Sequence, residues 1–238
     1  MELLKKMMLA TSGGIELVGS YYQMNAGQTG TVSVDLTSLT GGIDTAPSEN
    51  DIVILTQGSP SAGGTQGLTN PPAGWTLISQ VVSDDLKDVS LTLSYKVMGA
   101  TPDTSVDIES GGHVDNPTGA TVFVFRGVDN SSPMDVTVQS QAVLNTCIPD
   151  PMPITPVTNG AVIFVSGIGC HESGVQTFTS SDLDNFISGG IDDRHDLSVG
   201  SGIKVWNGGE FNPSTYTYGG TDSTNWSNCV ATIALRPA

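Results

Sequence analysis

The feature that most restricts this chain is the spacing of its turn residues. Asn70-Pro71-Pro72-Ala73-Gly74, Gly111-Gly112 and Asp129-Asn130-Ser131-Ser132-Pro133 are poor helix and good loop material. Turns of this kind recur every ~8–20 residues, a spacing that suits strands of a sandwich or jelly roll. The runs between them are short. Thr31–Leu36 and Ser90–Val97 alternate polar and apolar residues, the signature of a strand with one wet face. Asp51–Leu55 is a continuous apolar run, as expected of a strand covered on both faces, Gly160–Val165 mirrors it, and Ala120–Phe125 is a further strand candidate. Trp75–Ile78, Met134–Val138, Gly202–Trp206 and Val230–Arg236 complete the expected strands, and Trp75 is expected in the core. A helix is plausible over Ser181–Ile187, where a capping Ser precedes Gly189-Gly190, and Gly58–Gly64 reads as a mobile loop. With 29 glycines and only 13% charged residues, the chain is expected to be all-β: one β-sandwich or jelly-roll-like domain over 13–238 behind a short N-terminal arm, 1–12.

The order of runs echoes itself. Gly160–Val165 mirrors Asp51–Leu55, Val230–Arg236 echoes Ala120–Arg126, and Arg126 and Arg236 fall at corresponding places. Identity between the halves, 31–144 and 157–238, is weak. Either they are similarly ordered strand sets in one sandwich, or the echo is ordinary β patterning. The proline-rich segment 145–156 must be extended, because proline donates no ladder hydrogen bond, and it reads as the crossover between the halves.

Charge excludes several functions. Eight Lys and Arg face 24 Asp and Glu, for a net charge of −16, and no basic stripe exists to bind phosphates, so no nucleic-acid partner is expected. No apolar run approaches the ~18 residues of a membrane-spanning helix, and no membrane partner is expected. The apolar part of Met1–Ala10 after Lys5-Lys6 is too short for a secretion signal. It reads as a docking arm, with Leu3, Leu4, Met7 and Met8 as candidate subunit contacts. Ile148 and Met152 of the proline segment are candidates for the same role. Cys147, Cys170 and Cys229 form no CxxC and are odd in number, so they are expected as buried thiols outside any disulfide framework.

Reactive groups do not visibly converge. There is no GxSxG elbow, P-loop or HExxH, and the three histidines, His113, His171 and His195, sit in expected loops or at strand ends. Cys170 and His171 are strand neighbours, so they point to opposite faces and are unsuited to a nucleophile pair. The expectation is no enzyme and no cofactor. Asp182, Asp184, Asp192, Asp193 and Asp196 crowd one stretch and are weak Ca²⁺ candidates without the EF-hand order. Asp84, Asp85 and Asp88 form a smaller acidic cluster. Trp206, Tyr216, Tyr218, Asn225 and Trp226 combine aromatic faces with polar neighbours and are candidate glycan contacts.

Four motifs occur in order: Pro72-Ala73-Gly74-Trp75-Thr76-Leu77-Ile78; Ser94-Tyr95-Lys96-Val97; Phe123-Val124-Phe125-Arg126-Gly127-Val128-Asp129 with Pro133-Met134-Asp135; and Ala231-Thr232-Ile233-Ala234-Leu235-Arg236-Pro237. As a set, spanning about residues 30 to 238, they resemble a family of β-rich proteins of phages, prophages and bacterial surfaces. The resemblance implies a structural protein of a bacteriophage virion, a capsid decoration or cement protein or a tail or fibre part. Its expected partners are major capsid or tail subunits and further copies of itself, in a trimer or other symmetric oligomer. It carries over no catalytic residues. The alternative expectation is a carbohydrate- or receptor-binding module on the particle, with a host-surface glycan as partner. In the motifs, Arg126 is expected to bond carbonyls or an acid such as Asp129, and Asp135 to open a strand.

Overall fold

The computed structural model describes residues 14–26, 31–61, 70–83, 88–109, 117–171, 174–192, 196–221 and 226–238. The expected arm, residues 1–12, lies outside them. The described residues form strands and no helix. In chain order the strands are β1 (Glu16–Asn25), β2 (Thr31–Asp35), β3 (Ile52–Ser61), β4 (Thr76–Val82), β5 (Asp88–Val97), β6 (Ser105–Glu109), β7 (Thr118–Arg126), β8 (Gln139–Leu144), β9 (Val162–His171), β10 (Phe178–Thr179), β11 (Asp184–Ile191), β12 (Asp196–Val205), β13 (Thr217–Tyr218) and β14 (Ser227–Leu235). Two antiparallel five-stranded sheets stack as a sandwich, one ordered β1-β7-β3-β5-β4 and the other β11-β12-β9-β14-β8.

These two orders are one order. Read from the opposite edge, the second sheet is β8-β14-β9-β12-β11, so β8, β9, β11, β12 and β14 occupy the places of β1, β3, β4, β5 and β7. The registers agree too. Ile52 of β3 pairs with Phe125 and Val97, and Val162 of β9 pairs with Leu235 and Val205. Both outer strands break register at the matching place, between Leu77 and Ser79 in β4 and between Asp184 and Ile187 in β11. Packing follows the same rule. β1 meets β11 at one side of the sandwich and β4 meets β8 at the other, while β5 touches β14 and β7 touches β12. Exchanging the halves maps each contact onto another, as in an isologous dimer.

The matching halves are therefore residues 16–126 and 139–235. They divide earlier than the proline segment suggests, because β8 precedes that segment and pairs with β14. The prolines lie inside the second half, where Ile154 and Pro149 cover the outer face of its sheet. Met134–Val138 forms no strand; Met134 makes one isolated bridge to Leu235. The helix expected at Ser181–Ile187 is replaced by a turn and the start of β11. There Phe186 packs over Gly200 and Gly202, and that tertiary fit overrides local preference. Gly58–Ser61, expected in a loop, continues β3 opposite Asp88–Leu91 of β5.

Three apolar clusters explain why central strands read as unbroken hydrophobic runs. Between the sheets lie Ile52, Ile54, Leu91, Phe123, Phe125, Phe164, Ile168, Leu197 and Ile233. Outward-facing Val53, Leu55, Val122 and Val124 are covered in turn by the β2–β6 ribbon, with Val32 opposite Ile108 and Val34 opposite Val106, and by Trp75 and Met98. Outward-facing Ile163, Val165 and Ala234 are covered by Ile154, Phe178, Leu183 and Tyr216. Double coverage also buries the first seven residues of β5, where alternation alone suggested one wet face. Cys147, Cys170 and Cys229 are all buried, and none is in a disulfide. Hydroxyl pairs stitch the two sheets together: Ser83 with Ser227 at 2.7 Å, Thr121 with Ser201 at 2.6 Å, and Ser79 with Ser140 at 2.8 Å.

Equivalent arginines close the same end of each half. Arg126 makes a two-pronged ion pair with buried Asp51, both bonds at 2.9 Å, rather than with Asp129, which instead caps its own turn through Ser131 and Ser132. The next residue, Gly127, has φ 80, and a Cβ there would stand 2.8 Å from the Gly14 carbonyl oxygen. Arg236 reaches Asp135, which opens no strand but binds the Val157 and Thr158 amides and the Thr158 hydroxyl. Arg126→Ala is expected to cost about 2 kcal/mol, below the usual loss for a broken buried pair because the guanidinium is partly exposed. Arg236→Ala is expected to cost less, since Asp135 keeps three donors. Urea unfolding of the two variants checks the ranking, and equal midpoints would contradict it.

Candidate functional site

The most chemically suggestive cluster lies where β9 meets β12. Asp196 is the cross-strand partner of His171, and Ser198, two residues on, projects to the same face. The Ser198 Oγ lies 2.8 Å from His171 Nε2, and Asp196 Oδ2 lies 3.7 Å from Nδ1. These are the residue types of a hydrolytic triad. The hydrogen bonds give a different assignment. Ser198 donates its one hydroxyl proton to the Gln176 carbonyl oxygen at 2.7 Å, so the imidazole must donate from Nε2. Nδ1 then carries the lone pair, and 3.7 Å is too long for a hydrogen bond to Asp196, which accepts from the Gly174 amide. A triad needs the opposite tautomer. Burial pushes the His171 pKa down to about 4, with Asp192 opposing only in part. Both His171 and Ser198 are 0% exposed, so the hydroxyl is closed to substrate in this structure. Cys170, the neighbour of His171, faces the inter-sheet core on the opposite side of the strand.

The expected glycan residues mostly turn inward. Tyr216, 3% exposed, packs between Phe178 and Phe186, with ring centroids 5.8 and 5.1 Å away. Burial raises its phenol pKa. Trp226, 8% exposed, meets the His171 ring edge-on. Tyr218 lies between Phe178 and His171. Tyr216 and Tyr218 do share a face, as their alternation requires, but that face covers the second sheet instead of a ligand. Trp206 is half-buried at the end of β12, its Nε1 donating to the Gly209 carbonyl oxygen. Asn225 lies outside the described residues.

Of the aspartates expected near Ca²⁺, Asp182 and Asp184 point to separate partners, while Asp192 and Asp196 both lie at Gly174. Asp182 accepts from the Ser214 amide, Asp184 lies 4.0 Å from Lys204 Nζ, and Asp196 is committed at Gly174. The Asp192 carboxylate is also beside Gly174. Among the described residues no three metal-ligating side chains converge. Asp193, Asp84, Asp85, His113 and His195 lie outside those residues, as do Leu3, Leu4, Met7 and Met8. Ile148 and Met152 are half-buried, and Met152 lines a shallow polar cleft of about 520 Å³ with Asp150, Asn212 and Thr215.

A larger cleft, about 690 Å³, opens where the β1 and β11 edges approach each other. Sequence reasoning missed it. Its walls are Ser20–Met24 of β1, Ser38 and Thr40 of the loop after β2, Val175 and Thr177, and Ile187–Gly190 of β11. Tyr22 is 48% exposed. The available signal was the doubled Tyr21-Tyr22 in a chain with only 6% aromatic residues. Comparisons with protein-family models and with curated proteins returned no match.

Proposed function

We propose that this protein is an accessory surface component of a bacteriophage virion, a capsid decoration or cement protein or a part of the tail or fibre. It acts by contact with neighbouring subunits. The observation that carries this reading is where the reactive and polar groups are used. Inside the sandwich, hydroxyls bridge the sheets and His171 is sealed against Ser198, while outward faces are covered by the chain's own ribbons. What the described residues leave for function is the exterior. That exterior offers single large apolar side chains at Ile43, Leu77, Leu144 and Val157. The ordered motif set and its resemblance to phage β-rich proteins supply the particle.

In this reading the partners are major capsid or tail subunits and further copies of the chain, in a trimer or another symmetric oligomer. The apolar sequence of residues 1–12 and the half-buried Ile148 and Met152 supply contacts. Mass spectrometry of gradient-purified particles is expected to find the protein at a fixed copy number. Its absence from infectious particles would overturn the proposal. Particles assembled without it are expected to lose thermal or mechanical stability if the contact is cementing.

A further inference from the structure

We infer that the cleft between the β1 and β11 edges binds an uncharged saccharide, with Tyr22 as its stacking platform. This inference does not rest on the virion reading. Two independent observations carry it.

The first is the chemistry of the walls. Tyr22 presents a half-exposed ring held against the backbone of Gly189, where a Cβ would come within 2.6 Å of a ring carbon. Ser20, Thr40 and Thr177 line the same cleft; the Ser20 and Thr40 hydroxyls donate to each other's backbone carbonyls and keep lone pairs that can accept from a sugar hydroxyl. Sugar rings bury their C–H face on an aromatic ring while their hydroxyls exchange hydrogen bonds with groups of this kind. None of the described lining residues is charged, in a chain of net charge −16. An anionic ligand would meet a repulsive field, and a cationic one would find no carboxylate in the cleft. Strand addition by a peptide is opposed as well. Ser20 and Thr40 already exchange both backbone hydrogen bonds, at 2.8 and 2.9 Å, and so occupy that part of the β1 edge.

The second observation is where the internal symmetry breaks. By register, the place of Tyr22 in β1 is taken by Ser140 in β8, and the place of Ile187 in β11 by Ser79 in β4. At the β4–β8 side these two serines bond each other at 2.8 Å. At the β1–β11 side the matching positions hold an exposed tyrosine and an isoleucine, and the cleft lies beside them. The two halves keep a common frame and differ at the positions that form the cleft.

The test uses the full-length protein on an array of immobilised neutral oligosaccharides ending in galactose, glucose or N-acetylglucosamine, with sialylated oligosaccharides alongside. Retention of at least one neutral structure is expected. Calorimetric titration with that oligosaccharide is expected to show at least a ten-fold loss of affinity in Tyr22→Ala. Val175→Glu, which places a charge at the rim on a 63% exposed site, is expected to do the same with its melting temperature unchanged. Gln141→Ala on the opposite edge is expected to bind as the parent does. Retention of no neutral saccharide, retention of sialylated structures only, or full binding by Val175→Glu would overturn the inference.

Discussion

Phe164→Ala is expected to destabilise the protein by about 4 kcal/mol, within the range for emptying a large aromatic from a closed core. Phe164 is fully buried on β9 and meets Phe123 of β7 edge-on across the sandwich, with ring centroids 5.1 Å apart. Phe123 also lies against Phe125, at 6.3 Å. The hole would open at the centre of the inter-sheet layer, where both flanking sheets are pinned by their own outer coverings and cannot collapse into it. Urea denaturation is expected to show a lower midpoint with an unchanged slope, since the same surface unfolds. A loss below ~1 kcal/mol would mean that the sheets are not packed face to face at this point. Val157→Ala, at an exposed site outside the core, serves as the comparison and is expected to stay within ~0.5 kcal/mol of the parent.

Acid is expected to weaken the fold well above the range in which its carboxylates titrate, and His171 is the cause. Its pKa falls from 6.5 in the unfolded chain to about 4 in the fold, because burial disfavours the charged ring. Between those values the unfolded state binds more protons than the folded one, so stability rises with pH. The contribution is complete above pH 6.5 and is lost as pH falls toward 4, amounting to about 3 kcal/mol across the window. Asp135 behaves similarly at lower pH. Burial alone would raise its pKa, but donors from Thr158, Val157 and Arg236 outweigh burial and hold it below the ordinary carboxylate value. Its stabilisation is therefore present above 3.8 and disappears as pH drops through the lowered value. Stability curves measured at pH 7, 6, 5 and 4.5 are expected to slope upward with pH in the parent and to flatten in His171→Gln. An identical slope in both would show that His171 is not the buried neutral ring described.

Strands and core were readable in the residues because they follow local rules. Continuous runs such as Asp51–Leu55 and Gly160–Val165 become strands covered on both sides. The turn at Pro72–Gly74 leads Trp75 into the core beside β4. The failures share a physical cause, which is long-range pairing. β11 contains Gly189-Gly190 and would not be recognised as a strand without β12 beside it, and Ser59-Pro60-Ser61 extends β3 only because β5 continues opposite. β8, with three polar residues in a row, is a strand because β14 offers it an edge. The identity of Arg126's acid partner was hidden for the same reason. Asp51 is 75 residues from Arg126, whereas Asp129 is a neighbour in sequence. Sites were less legible than the fold. The aromatic residues of 206–226 advertise a surface in composition and supply a core in space. The exposed ring belongs to Tyr22, and only the register of both halves shows what is unusual about its position.

Native-state hydrogen exchange, followed residue by residue through increasing denaturant, tests most directly the claim that the two halves form one closed sandwich rather than two independent units. The amides of Ile54 and Val124 in one sheet and of Phe164 and Ile233 in the other are expected to converge on a single opening with one free energy and one denaturant slope. Exchange of one sheet at distinctly lower free energy, while the other stays protected, would contradict it.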